Sequence, residues 1–238
     1  MRISSLFEWA IKYGYTNVNP AKGMVIKNPK LARNERQVFS DEDLNKLFNS
    51  EIFTRRIYKY PYYFWLPLPG LYTGARLNEI CQLYLKDFQI IDGINVIKII
   101  DDMPDKRIKT KAAVRNIPIH SKFVELGLLT YVNKLLERGK DRLFPELNDN
   151  RDGYGHAASK WFARYRVKCG LVEDGKVFHS FRHTFINSLK QIGISKEKIS
   201  ELVGHEDGSE TFGRYGKNFN IRNLAEVIER INHPSIMR

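Results

Sequence analysis

The sequence predicts an α+β fold, mainly α-helical with a small antiparallel β-sheet. Three observations lead there. Apolar residues recur at helical spacing near both ends, as in Ile3, Leu6, Phe7, Ala10 and Ile11, or Leu224, Val227, Ile228 and Ile231. One central stretch, Asp87 to Ile119, turns instead to β-branched runs with partial alternation. The 238 residues suffice for one sizeable core with appended segments.

Taken in order, Ile3 to about Tyr13 reads as a single apolar helix without local partners, broken at Gly14 and at Asn19-Pro20. A basic stretch follows, from Lys22 through Lys27, Lys30 and Arg33 to Arg36, with Pro29 inside it. It reads as a linker, either a solvated loop or a strap on phosphates. At Phe39-Ser40-Asp41-Glu42-Asp43-Leu44 a domain begins, because Ser40 is a good N-cap with acids in the first turn after it. Helical patterning runs through Leu47-Phe48 and again from Tyr62 to Gly70, where Pro67 and Pro69 forbid one long helix. Gly74 allows a tight entry to the helix carrying Arg76, on which Leu77, Ile80, Cys81 and Tyr84 share one face.

Ile94, Val96, Ile97, Ile99 and Ile100, and later Val114, Ile117 and Ile119, are the strands. Between them lies a cationic hairpin holding Lys106, Arg107, Lys109, Lys111 and Arg115, which would repel itself unless something anionic faced it. Helices return at Ser121 with Leu126, Leu129, Val132, Leu135 and Leu136, and dominate to the end. There is no internal repeat or low-complexity tract.

Lys and Arg outnumber Asp and Glu by 39 to 27, a formal charge of +12, which favours a polyanionic partner such as nucleic acid. The two cysteines, Cys81 and Cys169, form no metal or disulfide framework, and no apolar run approaches the ~20 residues of a membrane span. A cytoplasmic location without membrane attachment is expected. Cys81 reads as a small core residue.

The chemistry-bearing residues are scattered: Arg76 in Thr73-Gly74-Ala75-Arg76-Leu77-Asn78-Glu79-Ile80, then His179-Ser180-Phe181-Arg182, Leu202-Val203-Gly204-His205, and Arg214-Tyr215-Gly216-Lys217. Arg76 and Arg182 lie among apolar residues, where an unpaired guanidinium is costly. They suit the non-bridging oxygens of a phosphorane-like transition state. Glu79, three residues after Arg76, is an available partner and orienting group for it. His179 and His183 stand at zinc-helix spacing, but Ser180 occupies the position where a zinc peptidase needs Glu, and Arg182 would set a cation beside the metal. No metal or cofactor is therefore expected. By residue type alone Tyr215 is more readily a packing residue than a nucleophile, since a phenol with a pKa of about 10 is only about 0.1% ionised at neutral pH. Asp101, Asp102 and Asp105 read as strand-end and turn residues rather than a two-metal set.

In order and spacing these motifs resemble the tyrosine recombinase, or phage integrase, family over about residues 37 to 217. The resemblance implies that family's catalytic-domain fold and a site-specific recombinase that cleaves and rejoins DNA without metal. Tyr215 would attack a phosphate to form a 3′-phosphotyrosyl bond. Arg76, Arg182, His179 and His205 would stabilise the transition state or shuttle protons, and a hairpin lysine would protonate the leaving 5′ oxygen. Lys109 is favoured for that role, with Lys111 in reach two residues on, on the same face of a strand; Lys111 and Arg115 are otherwise assigned to DNA binding.

By the same resemblance, residues 1–36 are the last helix of a truncated N-terminal core-binding domain plus a basic linker, 37–217 the catalytic domain, and 218–238 a helical tail. The tail either docks on a neighbouring protomer or packs on its own domain. The partners implied are double-stranded DNA attachment sites and further copies of the chain, as a tetramer on DNA, with DNA-bending accessory proteins as candidates. The competing readings are a catalytically silent DNA-binding regulator on the same fold and an enzyme that relaxes supercoils by the same tyrosine chemistry.

Overall fold

The computed structural model describes residues 3–24, 37–173, 175–205 and 219–233. The expected nucleophile Tyr215 with its neighbours Arg214 and Lys217, most of the basic linker, and the side chain of Lys111 lie outside the described residues. The chain divides into two units, Met1–Glu35 and Arg36–Arg238.

In the first unit, helix α1 (Ile3–Lys12) buries none of its residues. Its apolar side chains Ile3, Leu6 and Trp9 are exposed, and Trp9 stacks on Tyr15. The Asn19 amide nitrogen closes the unit by donating to Glu8 Oε1 at 2.6 Å and to the Ser4 carbonyl at 3.2 Å.

In the second unit the first helix starts at the Ser40 capping signal. Ser40 Oγ accepts from the Asp43 amide and Asp43 Oδ2 accepts from the Ser40 amide, so helix α2 (Asp41–Phe48) starts with two of its orphan donors satisfied. After α3 (Glu51–Thr54), the chain runs through α4 (Tyr62–Trp65) into α5 (Pro67–Thr73), with Pro67 at the first helical position where its missing N–H costs nothing. α5 is buried throughout and ends at Gly74, whose φ of 62° is left-handed. A side chain there would also strike the Phe185 ring, with a Cβ only 2.7 Å away. Gly74 is thus required twice over, for its turn and for the approach of the helix that carries Phe185.

Helix α6 (Leu77–Cys81) is one short turn, with Arg76 at its N-cap and Gln82 at its C-cap. The face expected to extend to Tyr84 is cut short, because Tyr84 lies beyond this cap and pairs with Arg142 in an isolated bridge. Cys81 is fully buried, and both cysteines are free thiols.

The sheet is β1 (Phe88–Ile91), β2 (Ile94–Ile99) and β3 (Arg115–Pro118), all antiparallel in that order. β1 and β2 are joined by Asp92-Gly93, both at positive φ, the conformation a two-residue hairpin turn demands. Ile97 pairs with Ile117 and Ile99 with Arg115. The segment expected to form a cationic hairpin is a loop with a 3₁₀ turn at Lys111–Ala113. Lys109 and Lys111 therefore do not share a strand face, a correction to the expectation drawn from their spacing. One cation of the loop is neutralised partly from outside it: buried Lys106 donates to Asp87, just before β1, at 2.7 and 2.8 Å and to Asp102 at 2.9 Å.

Helices α7 (Ser121–Glu125), α8 (Leu128–Glu137), α9 (Gly155–Lys168), α10 (His179–Gln191) and α11 (Lys196–Val203) complete the layer around an aromatic core that includes Phe39, Phe48, Phe162, Phe178, Phe181 and Phe185. α10 packs along α5. The tail helix α12 (Ile221–Glu229) lies on β2 and β3 of its own chain and buries Leu224, Val227 and Ile228 there. Among the described residues no helix is long and apolar enough to cross a membrane.

Candidate DNA-cleavage site

Four separate pieces of chain converge on one cationic cluster: the α5–α6 turn, the start of β3, the first turn of α10 and the C-terminal end of α11. Arg76 enters through its capping position. Its backbone N–H donates to Glu79 Oε2 at 2.9 Å and its Nη1 to Glu79 Oε1 at 2.6 Å, as the i, i+3 spacing led one to expect. Its Nη2 reaches toward the Gly204 carbonyl at 3.4 Å.

Glu79 also accepts from Arg115 Nη2 at 2.9 Å. Burial would raise the pKa of Glu79, but the attached Arg115 and Arg76 outweigh it and hold the carboxyl below its ordinary value. Arg115 is the clearest departure from expectation. Assigned to DNA binding from the sequence, it is instead buried, with Nε on the Leu202 carbonyl at 2.8 Å and Nη1 on the Ala113 carbonyl at 2.7 Å. Its donors are committed inside the fold, where it ties α6, β3 and α11 together and props Arg76 through Glu79. The missed signal was the strand alternation: Arg115, Ile117 and Ile119 share one face, and all three are buried.

Arg182, in the first turn of α10, is 2% exposed. Nη1 donates to the Gly74 carbonyl at 2.7 Å, while Nη2 is buried without a hydrogen-bond partner among the described residues. Burial first, and then the positive charges of Arg76 and Arg115, push its pKa down to about 9. Among the described residues Glu79 is the carboxylate bonded to this cluster, through Arg76 and Arg115 but not Arg182, in a place where unpaired charge is expensive.

His205 follows the left-handed Gly204 cap of α11, where its N–H donates to the Ser200 carbonyl at 3.0 Å. Partial burial, then Arg182, Arg76 and Arg115, depress its pKa, which favours the neutral ring. Gly204 cannot carry a side chain without strain: φ is +65°, and a Cβ would stand 2.9 Å from both Ala113 Cα and Arg115 Nη1. Gly204→Ala is expected to cost about 1–3 kcal/mol and to displace His205. Thermal unfolding checks the first part; an unchanged Tm would show that the turn relaxes freely.

His179 opens α10, half-buried, and its ring meets His183 edge to face at 5.0 Å. Lys109 is exposed and borders a small cleft with Arg76, Asn78, Glu79, Arg107 and Ile108. Among the described residues no three His, Cys, Asp or Glu side chains converge as a metal-binding group. The geometry therefore gathers Arg76, Glu79, Arg182 and His205 around one cluster and brings Lys109 to the same cleft as Arg76.

Comparison with known proteins reports on the same stretch. The phage integrase family model matches residues 68–220. A tyrosine recombinase XerC-like protein of Caldanaerobacter subterraneus subsp. tengcongensis is 25% identical over 242 residues, spanning 90% of this chain and 59% of the relative. A tyrosine recombinase of Pseudothermotoga lettingae is 25% identical over 210 residues, spanning 88% and 65%. The chain thus spans less than two thirds of the length of these two curated relatives. In fold it is similar to the integrase from mycobacterium phage Brujita, at a TM-score of 0.59 and 18% identity over 99% of this chain and 75% of that one. It is also similar to a lambda integrase crystallised as a tetramer on a Holliday junction, at 0.56 and 19% over 87% and 57%.

Proposed function

The chain belongs to the phage integrase family, and from that premise we propose that it is a site-specific recombinase that cuts and rejoins double-stranded DNA through a covalent 3′-phosphotyrosyl intermediate. The observation that carries the reading is Arg182, a buried guanidinium beside two other cations whose Nη2 has no hydrogen-bond partner among the described residues and so is open to an anion. A scissile phosphate supplies it. Arg76 and Arg182 then donate to the non-bridging oxygens, where charge accumulates as the phosphorus becomes five-coordinate.

In the first step the Tyr215 oxygen bonds to phosphorus, and the bond from phosphorus to the 5′ oxygen breaks. His179 and His205 share hydrogen bonding to the phosphate and uptake of the tyrosine proton. His205 suits this because its depressed pKa favours the neutral ring. Lys109 delivers a proton to the departing 5′ oxygen, a role favoured by its place on the cleft beside Arg76. Rejoining reverses these transfers with a 5′-hydroxyl from a partner strand. The lambda integrase tetramer on a Holliday junction supports an assembly of four copies on DNA for this chain too.

The test is trapping on a nicked suicide DNA carrying candidate attachment sites, in the presence of a metal chelator, followed by denaturing electrophoresis and peptide mapping. A DNA-linked peptide containing Tyr215 is the expected product. DNA binding with no adduct at all would leave a catalytically silent regulator.

A further inference from the structure

The loop that carries Lys109 is attached to the helix that Arg76 caps by one buried side chain, Gln82. Its Oε1 accepts from the Arg107 backbone N–H at 3.0 Å and its Nε2 donates to the Arg107 carbonyl at 3.3 Å, so the amide pairs with both polar groups of a single residue. Gln82 is itself fixed. It is 2% exposed, and Oε1 also accepts from Asn78 Nδ2 at 3.1 Å, while Asn78 Oδ1 caps the first amide of α9, on Gly155, at 3.0 Å. Arg107 lies two residues before Lys109. Arg76 lies at the opposite cap of the same five-residue helix that Gln82 terminates.

We propose that Gln82 is a positioning residue for strand cleavage: by clamping the backbone of Arg107 to α6, it holds the Lys109 ammonium at a set distance from the phosphate bound by Arg76. This rests on the reading of Lys109 as the proton donor. In the step concerned, the Tyr215 oxygen bonds to phosphorus and its proton passes to a histidine, while the bond to the 5′ oxygen breaks and that oxygen takes a proton from Lys109. Arg107's own side chain contributes to holding the loop, with Nη2 on Asp149 at 3.1 Å, but this bond is exposed and runs to another loop. Among the described residues, the Gln82 amide is the side chain that joins the lysine loop to the arginine helix through a buried two-point contact. A clamp of this kind matters because proton transfer needs the donor within hydrogen-bond reach, and a displacement of about 1 Å can cost roughly 10²-fold in rate.

The leaving group separates positioning of the acid from general damage. Two suicide substrates are compared, one with the natural 5′ bridging oxygen and one with a 5′ bridging sulfur, whose thiolate departs without prior protonation. Gln82→Met keeps length and apolar bulk but neither hydrogen bond, and is preferred to Gln82→Ala because it leaves no cavity. It is expected to slow cleavage of the oxygen substrate about 10- to 100-fold and of the sulfur substrate by less than about 3-fold, with DNA affinity unchanged. Lys109→Ala should show the same signature, and the double variant little further loss.

If Lys109→Ala shows the leaving-group signature and Gln82→Met slows both substrates equally, or neither, the clamp is overturned while the recombinase reading stands. If Lys109→Ala itself lacks the signature, the proton-donor assignment fails and the clamp fails with it. No adduct from the unaltered chain on either substrate would overturn both. A second measurement needs no activity: the Arg107 amide should exchange with solvent at least about 10-fold more slowly than those of Ile108 and Lys109 in the unaltered protein, and lose that protection in Gln82→Met. An unprotected Arg107 amide in the unaltered chain would also sink the proposal.

Discussion

Arg182→Met is expected to lower strand cleavage by roughly 10²- to 10³-fold, the loss typical of removing one donor aimed at a transition-state oxyanion. It is also expected to leave the folded protein as stable as before or more so. The two expectations share a cause. Arg182 sits 2% exposed, with Nη1 on the Gly74 carbonyl, Nη2 without a partner among the described residues, and burial, then the charges of Arg76 and Arg115, pressing its pKa down to about 9. An imperfectly paired buried charge is a cost that an apolar residue of similar volume removes, by about 1 kcal/mol or more. A bound anion would relieve the same cost. Inorganic phosphate should raise the Tm of the unaltered protein by occupying Nη2, and should do so far less in the variant. Cleavage near the unaltered rate would remove Arg182 from the chemistry. A large fall in Tm would mean that its bond to Gly74 matters more to the fold than the idle nitrogen costs.

What could be read from the sequence follows the range of the interactions. The Ser40 and Asp43 capping box, the Arg76 and Glu79 pair and the Asp92-Gly93 turn are local, and each is decided by residues within four positions of one another. The sheet was legible because β-branched residues cluster between Ile94 and Ile119. The sequence reading failed where a charged residue finds its partner across the fold. Arg115 stands in a run of cations and so read as a phosphate contact, yet its partners are Glu79, 36 residues back, and the Leu202 carbonyl, 87 residues on. Nothing in the local pattern announces either. Lys106 was misjudged in the same way, as one more self-repelling charge, until Asp87 closed on it from the start of the sheet. The Gln82 clamp was invisible for a further reason: it bonds to backbone, and backbone leaves no trace in residue identity.

Tyr215→Phe is expected to abolish the covalent DNA adduct while changing DNA affinity by no more than about twofold, since it removes one oxygen and no phosphate-binding charge. Tyr215 lies outside the described residues, so the argument runs through what surrounds it in the chain. Before it, His205 is fixed to the Ser200 carbonyl; after it, the Phe219 N–H donates to Glu201 Oε2 at 3.1 Å. The described residues on either side of it, His205 and Phe219, are therefore both bonded to α11, the same helix whose end meets Arg76 and Arg115. Several other tyrosines are poor rivals. Burial raises Tyr72 and Tyr154 to about 12 and carries Tyr62, Tyr131 and Tyr165 higher still, away from the phenolate a nucleophile needs. Tyr131→Phe, which loses only a bond to the Leu143 carbonyl, should accordingly keep the adduct. A covalent complex surviving in Tyr215→Phe would transfer the nucleophile to another side chain. Its loss in Tyr215→Phe and retention in Tyr131→Phe would identify Tyr215 as the nucleophile that acts with the arginine cluster.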